Sequence, residues 1–282
     1  MKKNVFMVVT FIVVIALSFT AFGWYTYLSN KNSFKETDDG CGLYRYKSTS
    51  VQEVFDVPET YEGTPVTELM SFSVANAEYL KEINISKNIK AIDVWALTNC
   101  PLLERINVDA DNPYFCSVDG VLYNKDKTEL IFYPNAKTAL VKDESGAVVG
   151  GGELVLPDSV VSIRDNAFYL CTNLYAVTLN NGLKSIGNKA FLKCENLQEI
   201  KFPDTLEEIG TDAFSYCNSL KTVEIPSSVK SIGDYAFFST ASQVEKIVMH
   251  HNSEADLELG KDWLPNHSEK ISKKIPVEFV GE

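Results

Sequence analysis

Histidine is nearly absent from this chain: there are three in 282 residues, all within the last 33. The sequence also lacks HExxH, GxSxG, a Walker loop and a glycine-rich nucleotide fingerprint. Zinc-protease, serine-hydrolase and nucleotide-binding chemistry therefore lack their residues, and a Ser-His-Asp or Cys-His nucleophile is unsupported. Basic residues are in deficit, 26 Lys+Arg against 38 Asp+Glu, for a formal charge of −12. That balance repels phosphate backbones and anionic headgroups, which argues against nucleic acid and peripheral lipid as partners. Glycine (15) and proline (10) are too sparse for a collagen-like or low-complexity chain. A 45% hydrophobic content is too high for a disordered one. The length allows one or two domains with a sizeable core.

Charge is missing altogether between Asn4 and Asn30. Lys2 and Lys3 precede that stretch, and 5–22 is apolar apart from Thr10, Ser18 and Thr20. About 20 such residues in a helix rise roughly 30 Å, enough to cross a hydrocarbon core. The lysine pair keeps the start inside, so the following chain is exported. Residues 1–30 then read in two ways. A signal peptide would be cut after Ala21-Phe22-Gly23. An uncleaved anchor would span the membrane through residues 5–27, with Trp24, Tyr25 and Tyr27 in the outer interfacial belt. A run longer than a usual leader core, followed at once by aromatics, favours the anchor.

Beyond about residue 45 the chain repeats itself. LYAVTLNNGLKSIGNKAFLKCEN (174–196), LQEIKFPDTLEEIGTDAFSYCNS (197–219) and LKTVEIPSSVKSIGDYAFFSTAS (220–242) are consecutive units of 23 residues. LKEINISKNIKAIDVWALTNCPL (80–102) and LVLPDSVVSIRDNAFYLCTN (154–173) are earlier copies, and 64–79 is a degenerate one. The alternation in Val177-Thr178-Leu179 and Val223-Glu224-Ile225 predicts a short strand, which Pro203 or Pro226 would end. A second apolar pair follows (Leu183/Ile186, Leu206/Ile209, Val229/Ile232). Gly187, Gly210 and Gly233 are expected to permit a bend, and Ala190-Phe191, Ala213-Phe214 and Ala236-Phe237 to form a short helical turn. A single coil cannot bury its own apolar side, so coils must stack, each touching its neighbours.

The consensus L-x-x-I-x-I-P-x-x-V-x-x-I-G-x-x-A-F-x-x-C resembles the BspA-type leucine-rich repeat of bacterial cell-surface proteins. The segment Asn112-Pro113-Tyr114 through Asp119-Gly120-Val121-Leu122-Tyr123 looks like the irregular insertion many of them carry. The resemblance covers roughly residues 45–250. It implies a β-rich α/β solenoid, right-handed, with short helical turns, exposed outside the cell, with adhesive or host-contact roles and no shared catalytic residues. The expected location is the outer side of a bacterial plasma membrane, single-pass with the amino terminus inside, or secreted if the leader is removed. The expected division is an entry cap at 31–56, a solenoid at 57–249 interrupted by a hairpin insertion at 109–150, and an exit cap at 250–282.

Cys100, Cys171, Cys194 and Cys217 share one column, as do Phe168, Phe191, Phe214 and Phe237. Stacked about 4.8 Å apart and pointing inward, the cysteines sit too far apart for an unstrained bridge and read as small core fillers. Cys41 and Cys116 lie off the column. His250, His251, Glu254, Asp256 and His267 are the nearest approach to a metal cluster. Their spacing places no two histidines on one face, so no metal is expected and this stretch reads as a solvated cap edge. No cofactor is implied. Lys184, Glu207 and Lys230 share a column with alternating charge, and Lys201 is expected to face Glu224, pairs that favour the stacking register.

The candidate binding face is the exposed side of the strand ladder: Glu82, Asn84, Arg105, Asn107, Thr178, Glu199, Lys201, Thr222, Glu224 and Lys246. It is mixed in charge and carries no aromatic triad. Tyr175 is the added anchor, with Tyr114, Phe115 and Tyr123 of the insertion as further ones. The expected partner is a protein or glycan outside the cell. The alternative is an envelope spacer without a soluble ligand.

Overall fold

The computed structural model describes residues 32–47, 52–238, 244–264 and 275–281. The apolar segment 5–27, and with it the anchor and leader readings, lies outside the described residues. Among these residues no helix is long and apolar enough to cross a membrane.

Each coil contributes two short parallel strands separated by a turn. The first set carries the alternating residues of the repeat. Val54–Asp56, Glu82–Ile85 and Arg105–Val108 form one three-stranded sheet, and Glu153–Val155, Ala176–Thr178 and Glu199–Lys201 form a second. Thr222–Ile225, Lys246–Met249 and Val277–Phe279 form a third. We call these the first ladder. Ser162–Ile163, Ser185–Ile186, Glu208–Ile209, Ser231–Ile232 and Glu258–Leu259 pair in parallel one coil after another, and form the second ladder. Side chains alternate, so Ile163, Ile186, Ile209 and Ile232 point into the core while the residue before each points out.

The helical turn expected at Ala-Phe-x-x-Cys is not there. Among the described residues the one helical element is a 3-10 turn at Glu254–Asp256. In its place runs a string of tight turns in which hydrogen bonds alternate. The Ala167, Tyr169 and Cys171 N–H groups bond three residues back within their coil, whereas Asn166, Phe168 and Leu170 donate to Asn188, Ala190 and Leu192 of the next coil. Turning every second N–H outward requires left-handed backbone at regular positions. Asn166, Lys189, Asp212 and Tyr235 have φ of 54 to 60°, and Leu170, Lys193 and Tyr216 of 60 to 62°. Each costs about 1–2 kcal/mol in an L-residue, offset by a backbone bond to the neighbouring coil.

The glycine column also serves a different end from the one expected. Gly187, Gly210 and Gly233 are not at positive φ. A Cβ on Gly210 would lie 2.7 Å from the Gly187 carbonyl carbon, and on Gly233 2.4 Å from the Thr211 nitrogen. These glycines let consecutive coils touch.

The rings of Phe168, Phe191, Phe214 and Phe237 are buried and stacked, with centroids 4.5, 5.0 and 5.3 Å apart and planes within 9° of parallel. Tyr133 stacks on Phe168 at one end, and Trp263 meets Phe237 edge-on at the other.

The insertion divides the core in two. Phe115–Val118, Val121–Asn124 and Glu129–Phe132 form an antiparallel sheet whose last strand pairs in parallel with Ser162–Ile163. Its two faces bury in opposite directions. Leu122, Ile131 and Phe132 join the core of the amino-terminal coils, whereas Val121, Tyr123, Leu130 and Tyr133 join that of the carboxy-terminal ones. A second hairpin, Leu140–Lys142 with Val148–Gly151, projects from the same segment with Val141 and Val149 exposed. The amino-terminal coils are closed by Ser33–Thr37, antiparallel to Gly40–Arg45, which pairs in parallel with Thr64–Leu69.

Candidate functional site

The sequence-derived binding face is divided among the three sheets of the first ladder. Glu82, Asn84, Arg105 and Asn107 lie on the first and are largely bonded to one another. Asn84 Nδ2 donates to Asp56 Oδ1 (2.6 Å), and Asn107 Nδ2 to Asn84 Oδ1 (2.7 Å) and Glu82 Oε1 (2.9 Å). Arg105 Nε lies 3.9 Å from Glu82. Thr178, Glu199 and Lys201 lie on the second sheet, with the half-buried Tyr175 just before its middle strand. Thr222, Glu224 and Lys246 lie on the third, where Lys246 pairs with Glu278 at 3.0 Å.

Lys201 does not face Glu224 across a strand pair, because the second and third sheets are not hydrogen-bonded. Phe202 stands where other coils carry Leu156, Leu179 or Ile225, and its ring meets Phe214 edge-on at 5.5 Å. Phe202 lines a cleft of about 500 Å³ between the second and third sheets. Of the insertion aromatics expected on this face, Phe115 and Tyr123 are buried and only Tyr114 is exposed. Burial pushes the Tyr123 hydroxyl up to about 12.

The charge column is present. Glu207 sits between Lys184, at 2.7 Å, and Lys230, and the two hydrogen bonds and charges hold its carboxyl down at about 2.

The thiols do more than fill space. Cys194 Sγ donates to the Phe168 carbonyl and Cys217 Sγ to the Phe191 carbonyl, each at 3.1 Å, and Cys100 Sγ to that of Val74 at 3.3 Å. All six cysteines are unbridged. Burial raises the Cys171 and Cys217 thiols well above the ordinary range, and Cys100 to about 11. These are poor nucleophiles. Cys41 is buried within the Gly40–Arg45 strand, and Cys116 lies in the insertion sheet with Sγ 3.2 Å from the Asn124 carbonyl.

His251 is not on a solvated edge. It is buried, with Nε2 2.9 Å from the Val229 carbonyl. It ends a column that the sequence does not display. Asn112 donates to the Ile89 carbonyl, Asn180 to Val160, Thr205 to Leu183 and Ser228 to Leu206. At each turn one carbonyl is left free, and the next coil supplies a side chain to meet it. Four residue types share the task, so no column shows. A polar residue 20–23 positions after each of these apolar residues was the available signal.

Two surfaces had no sequence forecast. One is an aromatic cluster on the turn side drawn from both halves. Phe72 stacks on Trp95 at 5.6 Å, Trp95 meets Tyr169 edge-on at 5.8 Å, and the Lys189 ammonium lies 5.6 Å over the Trp95 ring. The other is a groove of about 690 Å³ along the second ladder. Its outward column is one register line: Glu129, Ser162, Ser185, Glu208, Ser231 and Glu258. Gly187, Gly210, Gly233 and Gly260 run beside it. At Glu129 and Arg164 it meets a further hollow of about 790 Å³ that reaches Lys35 and Tyr44. The sequence concealed this face because two residues per strand are too few to show a period of two.

No curated protein matches the chain. The pneumococcal vaccine antigen PcpA is similar at 26% identity, with a TM-score of 0.59 over 73% of this chain and 48% of that one. A leucine rich cell surface protein from Faecalibacterium prausnitzii shares the fold at 24% identity, with a TM-score of 0.54 over 74% of this chain and 59% of that one. The chain thus spans about half the length of the first and under two thirds of the second. The BspA type leucine rich repeat region matches residues 44–135 and 152–256 in six copies, more than half of the chain. The chain belongs to the BspA type leucine-rich repeat family.

Proposed function

We propose that this chain is an exported, non-catalytic recognition module that binds a protein or glycan outside the cell through the groove along the second ladder. The groove itself carries the reading. It keeps one register over five coil-to-coil steps, and its Ser and Gly floor lets a ligand approach the backbone. The first ladder supports binding less well, because its amino-terminal amides and acids are bonded among themselves. Similarity to a leucine rich cell surface protein supports a place outside the cell. The apolar residues 5–27 would supply the tether as an anchor, or release the module as a leader. The excess of acid argues against nucleic acid.

The test is a screen of the full chain against immobilised extracellular matrix proteins and arrayed glycans. Ser185→Trp and Ser231→Trp, which fill the groove, are expected to abolish whatever binding is found, and Thr178→Trp on the first ladder to spare it. The reverse pattern would overturn the choice of face.

A further inference from the structure

Resting on the groove reading, we infer that the groove's partner is an extended, basic protein segment lying along the axis of the pile. The outward column reads carboxylate, hydroxyl, hydroxyl, carboxylate, hydroxyl, carboxylate from Glu129 to Glu258. Every position accepts hydrogen bonds. Among the described residues Glu129, Glu208 and Glu258 have no ion-pair partner, in contrast to Glu207, which lies one residue away and is held by two lysines. Asp165 adds a fourth carboxylate at the edge, bonded through both oxygens to Asn188, and among the described residues Arg164 is the one cation lining the groove.

Spacing decides what kind of cation fits. At about 4.8 Å per coil, Glu129 and Glu208 stand roughly 14 Å apart and Glu208 and Glu258 roughly 10 Å. A single metal ion needs its oxygens at about 2.3–2.6 Å, so it cannot gather these carboxylates. Same-side residues of an extended chain recur about every 6.8 Å. Lys or Arg two and four positions apart therefore come within side-chain reach of successive glutamates. The bare Ser and Gly floor admits the backbone between them. A second copy of this chain is a poor occupant, because each carries a net charge of −12.

The experiment titrates the full chain with a ten-residue peptide of alternating Arg and Gly, followed by fluorescence anisotropy at low and at physiological salt. Its counterpart with Glu in place of Arg is the control. Binding of the Arg peptide alone, weakened by salt, is expected. Glu208→Gln with Glu258→Gln should weaken it by about three- to tenfold, the scale of two exposed charge pairs. Glu199→Gln with Glu224→Gln removes the same charge from the first ladder and should change it less than about twofold. Equal weakening by both pairs would reduce the effect to net charge and overturn the inference, as would no binding of the Arg peptide. If the screen finds a ligand that Ser185→Trp abolishes while the Arg peptide stays unbound, the groove reading stands and the basic segment falls.

Discussion

The coils on either side of the insertion use one stacking rule with different fillings. The carboxy-terminal coils, from Glu153 onward, repeat their chemistry in the ring and thiol columns. Four phenylalanines stack in parallel, three thiols follow them, and the second ladder runs unbroken from Glu129–Phe132 to Glu258–Leu259. The amino-terminal coils keep the spacing and lose the repetition. Leu97 replaces the phenylalanine, the first-ladder surface is tied by the chain Asp56–Asn84–Asn107, and antiparallel strands close the end. A coil needs an apolar inside and a met carbonyl at each turn. It does not need a particular ring or thiol. The periodic half is therefore the one whose stability should divide into near-neighbour contributions.

The largest effect should come from that half. Phe214→Ala opens a gap between two stacked rings and should cost about 3–5 kcal/mol in chemical denaturation. Hydrogen exchange should rise in the coils around 190–237 and leave 54–108 protected. A uniform loss would erase the contrast between the halves. His251→Ala comes next. It leaves the Val229 carbonyl with no donor and should cost about 1–3 kcal/mol, with His251→Asn recovering part, since Asn180 performs the same task for Val160. No recovery would mean that the donor column is incidental. The smallest effect belongs to Glu207. Its folded carboxyl titrates at about 2, below the ordinary 4.5, so its contribution is present above pH 4.5 and disappears as pH falls toward 2. Glu207→Gln should lower the melting temperature slightly at neutral pH and low salt, and by much less near pH 2. A difference as large at pH 2 as at neutral pH would exclude the lysine pairs as its source.

What was legible in the sequence follows the same division. The Phe and Cys columns were visible because one residue type recurs every 23 positions, and the alternation in Val223-Glu224-Ile225 announced a strand. The second ladder was not, because Ser-Ile and Glu-Ile pairs are too short to alternate visibly. The Ala-Phe segment looked helical because Ala and Phe are compatible with a turn of helix. The neighbouring coil's carbonyls favour left-handed backbone at Lys189 and Lys193 instead, a constraint that exists only once coils are stacked. Trp95 and Tyr169 are separated by the insertion, and their contact has no local signal. Phe202 was a readable warning, being the phenylalanine in a column of Leu and Ile, and it marks where the first ladder parts. The face chosen from the sequence lies on the visible strand, whereas the proposed groove lies over the strand that could not be seen.

The stack of coils is divided into two cores, with the insertion sheet sealing both sides. Adjacent residues on one strand test it most directly. Leu122→Ala should raise hydrogen exchange in the amino-terminal coils around Ile83, Ile106 and Leu103, and Tyr123→Ala in the carboxy-terminal coils around Leu156, Ile163 and Phe168. If both substitutions loosen the same half, the sheet does not separate two cores and the account fails.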